Sequence, residues 1–428
     1  MKRLALASGA LLGALGWVRV ASAETLDIEG VARLAVSDVP ELRAAREHAE
    51  AAHAQRQSAG GRLLPTVHLS EEYQHWDRPF GIGFPGLGVF VARKQDTNTF
   101  VVAGRQPLLG LLHGTHEYEA ADANAEAAKA SVKVGEADTR EMVELEYLRL
   151  FQAKARVDIA RAAEQELTQQ VTETQARVKA GTQTNADLLR IQVAAASARQ
   201  DGIVSDAEAT VHRANLLSAI GRAPEDTTTE FQPPTALLAR ADVPVPAGND
   251  ALARRPEMKQ AKFRADAADQ AESAHSFGLL PEVDLEAAYQ RINGQVFAQE
   301  SSAFVGIKAD WNIWEWGATY NAKQAAAAEA RAATADVEAT RRRVLTEVTS
   351  AKARLVAAAS AVALANQTIA SAQEAYRVTA AQVRAGSGTT TDLLNAESAL
   401  TQARLQLENA RYEQAAVRVQ LEHAMGGR

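Results

Sequence analysis

The chain contains few side chains that could do covalent or metal chemistry. Its only tight histidine pair is His113 and His116, followed by Glu117, and this is not the H-E-x-x-H spacing that sets two ligands and a base on one helical face. Glycines between Gly81 and Gly86 are spaced like a dinucleotide loop, but Pro85 and the lack of a following helix exclude that function. No nucleophile elbow or P-loop appears either. We therefore expect solvated histidines rather than a metal site at this pair, no cofactor and no enzymatic activity.

Two carboxylates do stand in a repeated context. Residues 176–189 read ARVKAGTQTNADLL and residues 381–394 read AQVRAGSGTTTDLL, so eight of fourteen positions match at an offset of 205. In each copy a glycine suits a helix C-terminus, a threonine three residues before an aspartate suits an N-cap, and the aspartate suits the first helical turn. A tight turn between two helices explains every residue of the motif, Asp187 and Asp392 included.

The two motifs belong to a longer internal duplication. Pro40-Glu41 and Leu63-Leu64-Pro65 recur as Pro256-Glu257 and Leu279-Leu280-Pro281, now at an offset of 216. Copies of this length exceed the units of a solenoid, so each must hold a full set of elements. The first copy carries 11 extra residues, which we assign to residues 78–93 between two strands. This Gly-, Pro- and Phe-rich segment is expected to be an extended loop, either a tolerated surface insertion or a partial lid.

Long heptad helices form most of each copy. Apolar residues from Val348 to Val383 recur at intervals of seven, with small residues three positions later, and the same positions of the first copy keep the pattern except at Glu164. A strict seven-residue period predicts long, supercoiled helices. Helices are predicted at 114–180, 185–221, 317–385 and 389–425.

Two segments with strand periodicity precede each long helix, at 66–76, 97–108, 282–292 and 302–313. In the last two, apolar residues such as Val283, Leu285, Val305 and Ile307 alternate with polar ones, as in the strands of a membrane barrel. Soluble sandwich strands can show the same alternation. Four strands cannot close a barrel, whereas three chains would supply twelve strands and a ring of twelve helices.

The remaining composition is typical of an exported protein. Residues 1–23 have the basic start, apolar run and small-residue cleavage site of a signal peptide, and no later stretch of about 20 apolar residues is expected to span a membrane as a helix. Loss of its three basic residues takes the net charge from -7 to -10, which argues against a nucleic-acid partner. Cysteine is absent, so no disulfide or lipid anchor on cysteine is expected.

In the order and spacing of these motifs, the chain resembles the outer-membrane efflux protein family, the TolC-like channel-tunnels. The resemblance implies a mainly helical fold with a membrane β-barrel part, two long helical hairpins and two β-hairpins per chain, and assembly as a homotrimer. It also implies a position in the outer membrane, a tunnel that extends into the periplasm, and docking of a periplasmic adaptor and an inner-membrane transporter. The implied organisation is a first repeat at 24–221, a connector at 222–248 and a second repeat at 249–428, with equatorial helices at 27–60 and 249–276.

The resemblance further implies roles for the helical hairpin tips. Gly181-Thr182 and Gly386-Ser387 match the positions at which tips meet the adaptor, and Asp392 matches an acidic ring at the narrowest point, with Asp187 as its counterpart. In a trimer, three Asp392 carboxylates around one axis would attract cations and raise one another's pKa. One turn further on stand Arg190 and Asn395, so Asn395 lines this aperture without a second acidic ring. Gly388 replaces the basic latch of some members.

The favoured function is therefore a passive conduit from periplasm to exterior within a tripartite efflux pump. One alternative is the outer-membrane channel of a type I secretion system. Another is an exported coiled-coil scaffold without a pore, which would have no use for lipid-facing apolar residues on the strands.

Overall fold

The computed structural model describes residues 24–241 and 251–427, so the predicted leader and the end of the predicted connector lie outside the described residues. Seven strands and nine helices are described within these ranges. The strands are β1 (Glu24–Leu26), β2 (Thr66–His75), β3 (Phe80–Phe84), β4 (Gly88–Pro107), β5 (Thr229–Phe231), β6 (Glu282–Gln295) and β7 (Ser301–Asp310). The helices are α1 (Ile28–Asp38), α2 (Pro40–Gly61), α3 (Gly110–Lys179), α4 (Asn185–Ala219), α5 (Thr235–Ala241), α6 (Ala251–Arg254), α7 (Pro256–Phe277), α8 (Ala318–Arg384) and α9 (Thr390–Ala424).

Four long helices carry the molecule. The 70 residues of α3 span about 105 Å at 1.5 Å per residue, and α8 is nearly as long. Helix α3 packs against α4 and α8 packs against α9, while α3 also contacts α9. The four helices therefore lie in the order α4, α3, α9 and α8, with α4 and α8 at the two outer sides.

The heptad positions form the seam between these helices. In α8, Val348, Ala351, Ala358 and Ala365 are buried, whereas the residues between them are mostly exposed. In α9, Leu393, Leu400, Leu407 and Leu421 are buried, and so is the polar exception Gln414. The seven-residue period of the sequence is thus the packing period of the helical part.

The predicted equatorial helices are each broken, which corrects the expectation of single helices over 27–60 and 249–276. A helix ends before Pro40 and before Pro256, because the residue that precedes a proline favours extended backbone. Val39 has φ -61° and ψ 129°, and Arg255 has φ -64° and ψ 122°. Within the predicted connector, β5 pairs in parallel with β1 and α5 follows it.

One core cluster fastens this middle layer to the long helices. Tyr147 of α3 is fully buried, and its ring lies beside Phe151 and edge-on to Phe231 of β5. Its hydroxyl contacts the backbone oxygens of Gln232, at 2.6 Å, and of Leu26, at 3.1 Å. The tyrosine thus joins α3 to the short β1–β5 sheet.

Residues 78–93 differ in structure from the loop expected from sequence. This segment forms a β-hairpin, not an extended loop, since β3 pairs with the first residues of β4. Gly86 and Gly88 both have φ +85° and turn the chain between them. Strand β4 consequently begins at Gly88 instead of the predicted 97, and its 20 residues span about 66 Å.

Helix α8 also corrects the expectation that no later apolar stretch is long enough to span a membrane. It contains an 18-residue window of mean hydropathy 1.4 with few charges, of which only 11% is buried in the single chain. Length and composition are all that this observation rests on. Exposed apolar residues on this helix, such as Val356 and Leu364, leave a surface for a neighbouring chain or another partner.

Candidate functional site

The large sheet has one apolar face that continues across four antiparallel strands in the order β2, β4, β6 and β7. Leu69 lies opposite Val102, which lies opposite Tyr289, which lies opposite Ala303. The adjacent row on the same face contains Val67, Gly104, Ala287 and Val305. Val67 and Val305 are each 76% exposed in the single chain, so this face has no protein cover. It is the surface that lipid covers in a membrane barrel.

The opposite face is polar and linked by side chains. Arg105 Nε donates to Asp284 Oδ2 at 2.7 Å, and Asp284 is almost fully buried. Lys308 pairs with Asp310 at 2.8 Å, and Gln290 donates to Ser302 at 2.9 Å. Charges that satisfy one another on the inner face suit a water-filled lumen.

Large aromatic residues follow the last strand. Trp311, Trp314 and Trp316 are between 62% and 87% exposed, and the rings of the last two meet edge-on at 5.6 Å. At the opposite end of the sheet, just after β2, the Arg93 guanidinium stacks on Trp76, with its central carbon 3.4 Å from the ring centre. Exposed tryptophans at strand ends are typical of the two membrane interfaces.

The two helical hairpin tips have the same backbone geometry. Gly181 and Gly386 follow α3 and α8 with φ +77° and +78°, and the amide N–H of the next residue bonds back to the carbonyl of Arg177 or Gln382 at 2.9 Å. This is the usual left-handed helix end. Thr182 and Ser387 are exposed, and each hydroxyl also donates to the same carbonyl at 3.1 Å.

Both aspartates of the repeated motif complete a capping box. Thr184 Oγ1 accepts from the Asp187 amide at 3.2 Å and donates to Asp187 Oδ2 at 2.6 Å, and the Thr389–Asp392 pair repeats both contacts. The threonine hydroxyl lowers the pKa of each aspartate, because it donates to the charged form. Within one chain the shift at Asp392 is therefore opposite to the rise expected from three carboxylates around an axis.

The structure places the two tips side by side. Arg190 Nη1 lies 3.6 Å from Asp187 Oδ1 and 3.5 Å from Thr391 Oγ1, so its guanidinium bridges the first hairpin to the second. Asp392 and Asn395 are exposed, whereas Asp187 is half-buried. From sequence, Arg190 marks only the absence of a second acidic ring; its contact with Thr391 of the other repeat is visible only in the structure.

An apolar groove beside the tips was also missed. Leu189 and Val193 on the first turns of α4 are 54% and 70% exposed, and with Leu394 of α9 they border an open cavity of about 440 Å³. The sequence carried a signal, since Leu189 and Val193 are apolar but do not share a helix face with the buried Leu188 and Ile191.

The histidine pair has structural partners, which corrects the expectation that these side chains are simply solvated. His113 Nδ1 lies 2.8 Å from the backbone oxygen of Ala274, and His116 Nδ1 lies 2.7 Å from Gln270 Oε1. The His116 ring also stacks on Phe277 at 5.2 Å. The pair fastens the start of α3 to α7.

Comparisons with known proteins agree with this geometry. The model of the family described as outer membrane efflux protein matches residues 31–222 and 247–427. The outer membrane efflux protein BepC of Brucella suis biovar 1 (strain 1330) is 22% identical over 320 residues, which are 74% of this chain and 69% of that protein.

Solved structures show the same fold. A crystal structure of CusC superposes with a TM-score of 0.83 at 17% identity, covering 94% of this chain and 92% of that one. The outer membrane protein VceC of Vibrio cholerae superposes with a TM-score of 0.80 at 18% identity, covering 94% and 96%. The CmeC outer membrane channel of Campylobacter jejuni gives 0.81 at 15% identity, covering 94% and 85%.

The family match spans both repeats, and the apolar sheet face excludes the scaffold without a pore. The protein is an efflux channel of the outer membrane that extends into the periplasm, and it is not an enzyme. The chain belongs to the outer membrane efflux protein family.

Proposed function

We propose that three copies of this chain form one closed channel-tunnel that serves as the passive outer-membrane conduit of a tripartite efflux pump. The observation that carries the proposal is the sheet in which β2, β4, β6 and β7 share one uncovered apolar face, with β2 and β7 each left unpaired on its outer side. An open edge in lipid would leave backbone hydrogen-bonding groups unsatisfied. Pairing β7 of one chain with β2 of the next closes a twelve-stranded barrel without a free edge.

The helical part supports the same arrangement. The outer helices of one chain, α4 and α8, carry exposed apolar residues on their unpartnered sides, among them Ile203, Val211, Val356 and Leu364. A threefold axis would bring α8 of one chain against α4 of the next and cover both. Twelve helices would then continue the barrel as a tunnel about 100 Å long.

The tips are proposed to receive the periplasmic adaptor, which couples the tunnel to an inner-membrane transporter. Gly181, Thr182, Gly386 and Ser387 are exposed at the far end of the helices, and the groove at Leu189 and Val193 offers an apolar surface beside them. Cargo selection would rest with the transporter. Reconstitution with an adaptor of a drug pump or of a secretion system separates the pump from the type I secretion alternative.

Asp187, Asp392 and Asn395 are proposed to line the aperture. Thr389 keeps Asp392 charged within each chain, so the ring attracts cations even as its three members oppose one another. Gly388 stands where some family members have a basic residue that latches the closed state, and Arg190 is proposed to bridge the tips instead.

Single-channel recording on the purified trimer in planar bilayers tests this aperture. We expect Asp392→Asn to lower the cation-to-anion permeability ratio and weaken block by multivalent cations. Asp201→Asn, which removes the same charge on α4 about 21 Å along the helix from Asp187, is the matched control and should have a smaller effect. Equal selectivity in the native and Asp392→Asn channels would refute the aperture role. Electron microscopy of the same sample should show threefold particles, and particles without a detergent belt would refute the barrel.

The β3–β4 hairpin is proposed to project from the outer mouth as a partial lid. Phe80, Phe84 and Phe90 expose their rings, and Phe84 meets Phe90 edge-on at 5.8 Å. Deleting Gly81–Gly88 should raise the single-channel conductance, and an unchanged conductance would leave the hairpin as a surface insertion.

A further inference from the structure

A cluster of potential metal ligands lies at the equator, where the end of α9 meets α3 and α7. His423, Asp138 and Glu257 come from these three helices, and each offers one ligand atom within 4.8 Å of the others. Glu141 lies one turn after Asp138 on the same face of α3. The cluster borders a cavity of about 450 Å³ that opens to solvent.

The spacing around His423 fits a small metal ion. His423 Nε2 lies 3.4 Å from Asp138 Oδ1 and 3.5 Å from Glu141 Oε2. Ligand atoms about 2.0–2.1 Å from a tetrahedral zinc ion stand about 3.3–3.4 Å apart. Each of these two carboxylate oxygens therefore stands about as far from His423 Nε2 as two ligands of one zinc ion stand from each other, and Glu257, which also pairs with Arg255, offers a further oxygen within 4.8 Å of His423 and Asp138.

Arg255 holds the cluster in place from one side. Arg255 is 4% exposed, and its guanidinium contacts Glu257 at 2.8 and 2.9 Å and Glu347 at 2.9 Å. It also donates to the backbone oxygen of His423 at 3.1 Å, which fixes the end of α9. Arg255 is thus engaged by Glu257 and Glu347, whereas Asp138 and Glu141 face His423.

We propose that this equatorial cluster is a binding site for a divalent transition metal of the Zn²⁺ class, with His423 Nε2, Asp138 and Glu141 as ligands and Glu257 completing the set. An imidazole with carboxylates selects such ions over Mg²⁺, which prefers oxygen ligands and its own water. The bound ion would join α3 of the first repeat to α7 and α9 of the second.

Isothermal titration of metal-free, detergent-solubilised protein with Zn²⁺ tests the site. We expect one high-affinity ion per chain and at least a tenfold loss of affinity in His423→Gln and in Asp138→Asn. The second variant guards against misfolding, because the Asp138 side chain is 59% exposed. His113→Gln is the matched control: His113 lies beside one carboxylate, 3.2 Å from Glu117, whereas His423 lies beside two, so this variant should leave the affinity unchanged.

Two results would overturn the proposal. The first is equal Zn²⁺ affinity in the native protein and in His423→Gln, and the second is Mg²⁺ binding as tight as Zn²⁺, which would show only general attraction to acidic groups. X-ray absorption at the zinc edge gives a direct check, because it should detect one imidazole nitrogen in the native complex and none in His423→Gln. Neither failure would alter channel conductance, so it would not be confused with failure of the efflux function.

Discussion

Replacing Tyr147 with phenylalanine isolates one contact that joins the long helix α3 to the short β1–β5 sheet. The ring stays, with its contacts to Phe151 and Phe231, and only the hydroxyl is lost. That hydroxyl lies 2.6 Å from the Gln232 oxygen and 3.1 Å from the Leu26 oxygen. The Leu26 oxygen also accepts from the Gln232 amide at 3.0 Å, so the Gln232 oxygen bears most of the loss.

The expected magnitude follows from burial. Tyr147 is fully buried, and a buried acceptor left without its donor costs about 1–3 kcal/mol. If that cost falls on local opening of the β1–β5 sheet, amide exchange there should accelerate about 5-fold to about 150-fold. The change should be confined to this layer, because the heptad seams of the long helices do not involve the hydroxyl.

Hydrogen exchange measured by mass spectrometry on the detergent-solubilised protein can resolve this effect. Peptides that cover β1 and β5 should exchange faster in Tyr147→Phe, while peptides from the hairpin tips should not change. Tyr412→Phe is the control: Tyr412 lies in the same core, but among the described residues its hydroxyl has no hydrogen-bond partner. If the two variants behave alike, the hydroxyl contact does not hold the layer and the reasoning is refuted.

Two further predictions concern the hairpin tips and their turns. Gly181→Ala should destabilise the tip by about 1–2 kcal/mol, because the backbone at this residue has φ +77°. Gly202→Ala inside α4 is the control and should be neutral or stabilising, because the new methyl group would meet its nearest neighbour at an ordinary 3.6 Å. Thermal unfolding compares the two variants. Thr389→Val should weaken the tip at neutral pH and raise the pKa of Asp392 toward its ordinary value. Because the folded pKa is lowered, the contact stabilises the tip above the pKa of an unfolded aspartate, and this stabilisation is lost as pH falls through the folded value. The stability of the tip should therefore depend less on pH in Thr389→Val than in the native protein.

The helical part of the fold could be read from the sequence because packing and sequence share one period. Residues seven apart, such as Val348 and Leu355, face the same seam, and the structure buries or half-buries them all. The turns were equally local, since a glycine, a threonine and an aspartate within seven residues determine both tips. The two prolines, Pro40 and Pro256, also indicate the breaks in the equatorial helices, but the helical pattern on either side of each proline favoured one continuous helix.

Other features depend on contacts that no local pattern encodes. The hairpin of β3 and β4 contains four glycines and two prolines within residues 79–90, which favour a loop, and the alternation of Phe80, Ile82 and Phe84 was the weaker signal for a strand. The bridge from Arg190 to Thr391 spans 201 residues, and the His423 cluster gathers groups from three helices. Such sites appear only when the helices are packed together.

The duplication itself argues for where function has diverged. The two repeats keep the same heptad seams and the same capping boxes, which packing and backbone geometry require of both. They differ at three places along the long axis of the molecule: the extra hairpin, the equator and the tips. At the tips, Arg190 of the first repeat corresponds to Asn395 of the second. At the equator, Val39 of the first repeat corresponds to the buried Arg255 of the second, and Asp138 corresponds to Arg343, so the proposed metal site exists once per chain. A trimer of two identical repeats would be a sixfold tunnel, and in the proposed trimer these differences leave only threefold symmetry. Each difference places charged or aromatic groups at the proposed lid, metal site or aperture.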